Sequence, residues 1–320
     1  MKLFLQKIVV SLLVFALCYI TFLVLWGVLM PSYLNKNLKY KLGLSGFMHT
    51  RLKQADSIQN IDILFLGSSH TYRGFDNRIF AKRGFSTFNF GSSNQTPIQT
   101  NILLHTYLHQ FQPKLVIYEV FPENFELDGL ESGVDIISNS NNVSLRYQNA
   151  IQLKHITAFN TLIFATFSQL FFQKHLFLEK TTNELDSYIN GGFVQTNLLK
   201  NVSLSEKQHP KLHWMFKEEQ WQAFQKSIHL LKANKIPFVL VQAPVTKPFY
   251  NNYLNNQEVN LRFKEVANFY NFNDEYALNL SDTNDFYDAH HLTQTGVNKF
   301  NNSLLHLLNE NGVLKFKNDE

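Results

Sequence analysis

No charged residue interrupts the chain from Ile8 to Met30, and this run limits what its end of the molecule can become more than any other feature does. At about 1.5 Å of rise per residue, a helix over it reaches across a hydrocarbon core of roughly 30 Å. Lipid offers the backbone no hydrogen-bond partners, so a lone apolar segment of this length is expected to be helical. A cleaved signal peptide would carry an apolar region of about 7–15 residues and then a small-x-small site, and neither is evident here. Cys18 follows Phe15 and Leu17 and the apolar run continues past it, which does not suit a lipoprotein attachment site. The expectation is a single-pass anchor in the cell membrane over residues 8–30, with residues 1–30 forming a cytoplasmic tail and transmembrane segment.

The remaining length fits one globular domain of generous size, since the chain has 320 residues of which 45% are hydrophobic. Its net charge is only +4 and no stripe of lysine and arginine interleaved with aromatics occurs, so a nucleic-acid partner is not expected. Cys18 is the single cysteine, which excludes an intramolecular disulfide framework and a thiolate metal cluster. Lys2 and Lys7 are balanced by Lys36, Lys39 and Lys41 beyond the anchor, so charge alone leaves the membrane orientation open.

After a polar linker at 31–60, the domain at 61–320 opens on apolar strands at Ile61–Leu66, Ser86–Phe90 and Leu115–Val120, with a helix at Gln99–Gln110 between the last two. Alternation of this kind predicts an α/β fold with a parallel sheet covered on both faces. The first strand runs into Gly67-Ser68-Ser69, a tight turn that presents a serine oxygen at the carboxyl edge of the sheet. Read alone, this segment is as well explained by a turn capping the next helix. A base elsewhere in the chain is needed before Ser69 becomes a nucleophile.

Asp288-Ala-His-His291 supplies one. In a helical turn its spacing puts the carboxylate and the imidazole on one side, so Asp288 can hold Nδ1 while Nε2 of His291 deprotonates a hydroxyl. With a serine after the first strand and Asp-x-x-His before the last helix, the chain resembles the SGNH or GDSL-like hydrolase family. That resemblance implies a three-layer flavodoxin-like sandwich and a Ser69, His291, Asp288 triad. It also implies an oxyanion hole built from the backbone amides of Ser69 and Asn94. Phe88-Asn89-Phe-Gly-Ser-Ser93-Asn94 resembles the family's second block, with Asn94 where the family has glycine; asparagine is the non-glycine residue that best tolerates positive φ. In the third block Glu123 falls on the family's asparagine and Asn124 one place later, so Asn124 is the candidate side-chain donor.

Residues 125–215 interrupt the alternation as a helical, cap-like insertion. Ile156, Phe159, Ile163, Phe167 and Leu170 recur at helical spacing. That helix packs on the core, caps the serine or lies in the membrane interface; a crossing would separate Ser69 from His291. Alternation returns with a helix at Glu218–Lys232, a strand at Pro237–Gln242, a helix at Glu258–Tyr270 and a last strand at Tyr276–Leu280. Thr293 caps a final helix that turns Val297, Phe300, Leu304 and Leu308 inward and stops at Gly312.

Other residues have plainer readings. Glu119 is expected to be a structural hydrogen-bond partner near the sheet's end, Arg73 to pair with Asp76 or bind an anion, and His290 to lie at the surface or touch substrate. Asp285, Asp288, His290 and His291 lack a third well-spaced histidine, so no metal is expected, nor any cofactor. The resemblance implies a membrane-anchored, extracytoplasmic serine esterase acting on an O-acylated glycan of the cell envelope, the substrate being an acylated carbohydrate or small ester. Its alternatives are an O-acyltransferase of the same fold served by a membrane-bound acyl donor, and a binding protein without turnover.

Overall fold

The structure, a computed structural model, describes residues 1–43, 46–172, 176–198 and 211–316. The chain divides into two compact units, one of Met1–Leu42 with Gly133–Leu178 and one of Gly43–Ser132 with Glu179–Glu320.

In the first unit, helix α1 (Lys2–Leu29) is long and apolar enough to cross a membrane, a test that a signal sequence also passes. Against it packs α8 (Ile156–Phe171), whose Asn160 accepts a hydrogen bond from the Tyr19 hydroxyl at 2.7 Å and donates to Asn37 O at 2.9 Å. Gly27 permits the approach, because a Cβ there would stand 2.4 Å from the Phe164 ring. Helices α6 (Leu130–Asn139) and α7 (Val143–Leu153) precede α8.

The second unit is built on a parallel sheet of five strands, β1 (Ile63–Leu66), β2 (Thr87–Asn89), β3 (Leu115–Glu119), β6 (Phe238–Gln242) and β7 (Phe269–Asn271), ordered β2-β1-β3-β6-β7. Every residue of β1 and β3 is buried, as strands covered on both faces require. Helices α5 (Pro97–Phe111) and α9 (Glu218–Ala233) pack together, while α12 (Gln294–Glu310) packs on α3 (Ser69–Gly74) and α4 (Asn77–Ala81). The order is 2-1-3-4-5 when these strands are counted along the chain, compatible with a flavodoxin-like fold. Chain direction across the sheet reverses between β1 and β3, and the carboxyl ends of such a pair open the crevice where α/β folds take ligands.

The insertion is not uniformly helical, because β4 (Asp186–Ile189) and β5 (Phe193–Thr196) form an antiparallel hairpin. Part of the expected linker is also structured: α2 (Met48–Ala55) buries Met48, Leu52 and Ala55. Two expectations near the end fail. The helix placed at Glu258–Tyr270 is α11 (Asn256–Lys264), and its last expected residues belong to β7 instead. No strand forms at Tyr276–Leu280; Tyr276, Leu278 and Leu280 pack on the core from a loop. Between the end of β6 and α11 lies the short α10 (Lys247–Tyr250).

Aromatic rings tie sheet to helices in this unit. Phe65 of β1 stacks on Phe75 at 4.8 Å, and Phe75 and Phe272 both meet Phe300 of α12 edge-on at 5.3 and 4.9 Å. Phe300 is fully buried, so Phe300→Ala is expected to cost about 3–5 kcal/mol of stability. A lowered midpoint in urea unfolding, with unchanged slope, is the check.

Candidate active site

The turn after β1 depends on Gly67, which sits at φ +138, a conformation side chains rarely adopt. A Cβ there would also lie 2.3 Å from Thr71 Oγ1 and 2.7 Å from Glu119 O. Ser68 then caps α3 and Ser69 opens it. Arg73 of the same helix forms a two-pronged ion pair with Asp186 of β4, both contacts 2.8 Å, and not the expected pair with Asp76. Asp76 instead caps α4 and binds Arg78.

The second half of the site is the loop between Asp285 and α12. Asp285 is buried, accepts from Ser281 N and pairs with Lys299 at 2.7 Å. Phe286 bridges Leu292, Tyr287 N donates to His291 O, and Thr293 caps α12 by accepting from Gly296 N. Asp288 and His291, expected on a helical turn, lie in a loop that is not helical. Asp288 Oδ1 accepts from the amides of His290 and His291 at 2.9 and 2.7 Å, and this local turn is what aligns the two side chains.

These two halves meet. Ser69 Oγ lies 2.9 Å from His291 Nε2, and His291 Nδ1 lies 2.7 Å from Asp288 Oδ2. An ionised carboxylate only accepts, so Nδ1 carries the imidazole proton and Nε2 is free to accept from the serine hydroxyl. Burial pushes the Asp288 carboxyl up, but the hydrogen bond and charge of His291, with smaller help from His290, hold it at about 2. Tyr287 stacks on His291 with ring centres 5.5 Å apart and planes nearly parallel.

Asn94 adopts φ +48, the left-handed backbone anticipated for it, and its side chain donates to Glu131 at 2.8 Å. Asn89 braces this block by donating to Thr71 O and accepting from Gly91 N. Gly91 is pressed against the nucleophile turn, 2.4 Å from Ser68 O as measured from a Cβ built on it. The Ser69 amide is first in its helix and has no intrahelical acceptor. Asn124 is buried in the turn after β3, where its amide donates to Phe121 O; its side-chain amide has no hydrogen-bond partner among the described residues. Glu123 is half-buried beside it. Burial raises its pKa, Glu126 adds to the rise, and the charge of His291 opposes it.

One contributor was not found from the sequence. His70 is buried, stacks on Phe121 with ring centres 3.9 Å apart, and points Nε2 at His290 Nδ1, 3.2 Å away. Its position straight after Ser69 was visible, but nothing local indicated that it would face His290. Burial and then the charges of His291 and His290 hold His70 well below the ordinary imidazole range, and burial followed by His291 lowers His290 to about 4. One ring nitrogen from each of His70, His290 and His291 lies within 4.8 Å of the others, so His70 is a third histidine beside the pair at His290 and His291.

Neither a scan of protein-family models nor a search of curated proteins found a match to this chain.

Glu119 lies beneath the turn, fully buried, and neither carboxyl oxygen makes a hydrogen bond among the described residues. It is therefore not the hydrogen-bond partner expected. Burial raises its pKa from 4.5 to about 8; the nearby backbones of Ala243, Phe121 and Ser68 oppose the rise without meeting hydrogen-bond geometry. A folded pKa above the unfolded one means full stability below pH 4.5 and progressive loss as pH rises through 8. Glu119→Gln is expected to abolish that loss. Thermal unfolding from pH 5 to 9 would show the variant gaining on wild type as pH rises.

Gly91→Ala is expected to displace the Ser68–Thr71 backbone and cut the reactivity of Ser69 by at least about ten-fold while the fold persists, since small misplacements of reacting groups are costly. Serine labelling beside a circular dichroism spectrum measures both.

Proposed function

We propose that this protein is a membrane-anchored serine esterase of the SGNH type, acting on an O-acylated glycan of the cell envelope. The observation that carries the reading is the continuous chain from Ser69 Oγ through His291 to Asp288, with contacts of 2.9 and 2.7 Å. Its position at the reversal point of a flavodoxin-like sheet, and the resemblance of the segments at Ser69, Asn89–Asn94 and Asp288–His291 to SGNH blocks, support the same reading. The resemblance covers roughly residues 61–124 and 236–310.

In this mechanism Ser69 Oγ bonds to the acyl carbon as His291 Nε2 takes its proton. The oxyanion is held by the amides of Ser69 and Asn94, with the Asn124 side chain as a third donor. The intermediate collapses, His291 returns the proton to the departing alcohol, and the acyl group stays on Ser69. Water deprotonated by His291 then releases the acid. A sugar hydroxyl in place of water makes the same site an O-acyltransferase. The half-exposed rings of Phe249 and Tyr253, continuous with Phe121 and His290, offer an apolar wall that suits a sugar face or an acyl chain. The uncharged run at 8–30 supports anchoring, and the resemblance favours an extracytoplasmic domain.

One observation favours a second reading, binding without turnover. Glu123 stands where SGNH hydrolases have a donor, and its carboxyl lies within electrostatic reach of His291.

Fluorophosphonate labelling of the full chain in detergent near pH 8 separates the readings. Labelling of wild type is expected, with none in Ser69→Ala or His291→Ala and a rate lowered by up to about 10⁴-fold in Asp288→Asn. Folded wild type that takes no label would favour the binding reading.

A further inference from the structure

We propose that His70, His290 and His291 form a binding site for a divalent transition metal of the zinc class, and that an ion seated there withdraws His291 from Ser69. The rings come from two segments 220 residues apart, yet one nitrogen of each falls within 4.8 Å of the others. His70 Nε2 and His290 Nδ1 are already 3.2 Å apart. A tetrahedral zinc with bonds of about 2.0–2.1 Å holds its ligand nitrogens about 3.3 Å apart, so this pair needs little movement. Modest ring rotation brings His291 to the same point.

The surroundings are those of metal-bound imidazoles. A ligating histidine usually anchors its other nitrogen on a carboxylate or another polar group, which fixes tautomer and ring plane. His291 does so through Nδ1 to Asp288 at 2.7 Å, and His70 Nδ1 faces Ser68 Oγ at 3.4 Å. The proton shared between the His70 and His290 rings moves to the outer nitrogen of its own ring when the ion arrives.

A consequence for the serine follows from lone-pair counting. His291 Nε2 has one lone pair, which accepts from Ser69 in the structure. Once given to a metal it cannot take the serine proton. The site is thus a point of inhibition built from the base itself, and the inhibitory half of the proposal rests on the esterase reading, whereas binding does not.

The test uses the full chain in detergent with any affinity tag removed. Cobalt(II) titration followed by visible absorption, then displacement by zinc(II), should give one equivalent with the spectrum of a tetrahedral nitrogen-rich site. Ser69→Ala should bind as wild type does. His70→Gln and His290→Gln should each weaken binding by at least about ten-fold; the half-exposed His290 decides the matter if the buried His70→Gln variant fails to fold. Zinc should suppress fluorophosphonate labelling of wild type and a chelator should restore it. Absence of stoichiometric binding, or binding that survives His290→Gln, overturns the site. Binding without suppression overturns the inhibitory half. Wild type that binds metal but never takes label, even with chelator, leaves the site standing and removes the esterase reading.

Discussion

Everything in the candidate site depends on the turn from β1 into α3, where Gly67 lets the backbone pass at φ +138 between Thr71 and Glu119. Any Cβ at that point would push against the chain of β3. The turn therefore locks the start of α3 to the end of the neighbouring strand, and Ser69 inherits its position from two strands. Asn89 and Gly91 close the other side, so Ser69 is held by the ends of β1, β2 and β3 together. A site supported on three strand ends has little freedom to drift, which suits a reaction that needs its groups within hydrogen-bond reach.

The sequence disclosed those parts whose chemistry is local. Ser69 after an apolar strand, the left-handed Asn94 and the Thr293 cap each follow from a short motif with its own geometry. Asp288 and His291 were legible as a pair, but their spacing suggests a helix, where the structure aligns them through side-chain bonds to two amides. The last strand was misplaced for a physical reason. β7 is three residues long, lies at the sheet edge and among the described residues pairs only with β6, so it carries little propensity signal against the helical pattern before it. The alternation at Tyr276, Leu278 and Leu280 did report burial, yet those side chains reach the core without a strand partner.

Apart from the pairing of Ser69 with His291 that the resemblance implied, long-range partners were not legible. Arg73 sits near Asp76 in sequence and binds Asp186 of the hairpin instead. His70 meets His290 only because the sheet brings the first and last segments of the domain together. Glu119 shows the converse: an acidic residue in an apolar strand was visible, but its lack of a hydrogen-bond partner depends on how the neighbouring backbones are arranged around it.

Ser69 and His291 are separated by 222 residues, and this spacing sets a clock on synthesis. At about 5–20 residues per second, something on the order of 10–40 s passes between the emergence of Ser69 and that of His291. Throughout that interval the hydroxyl is an ordinary one. A chain released early carries the strand, the turn and the serine but not His291, so the Ser69–His291 contact forms only after nearly the whole domain has been made.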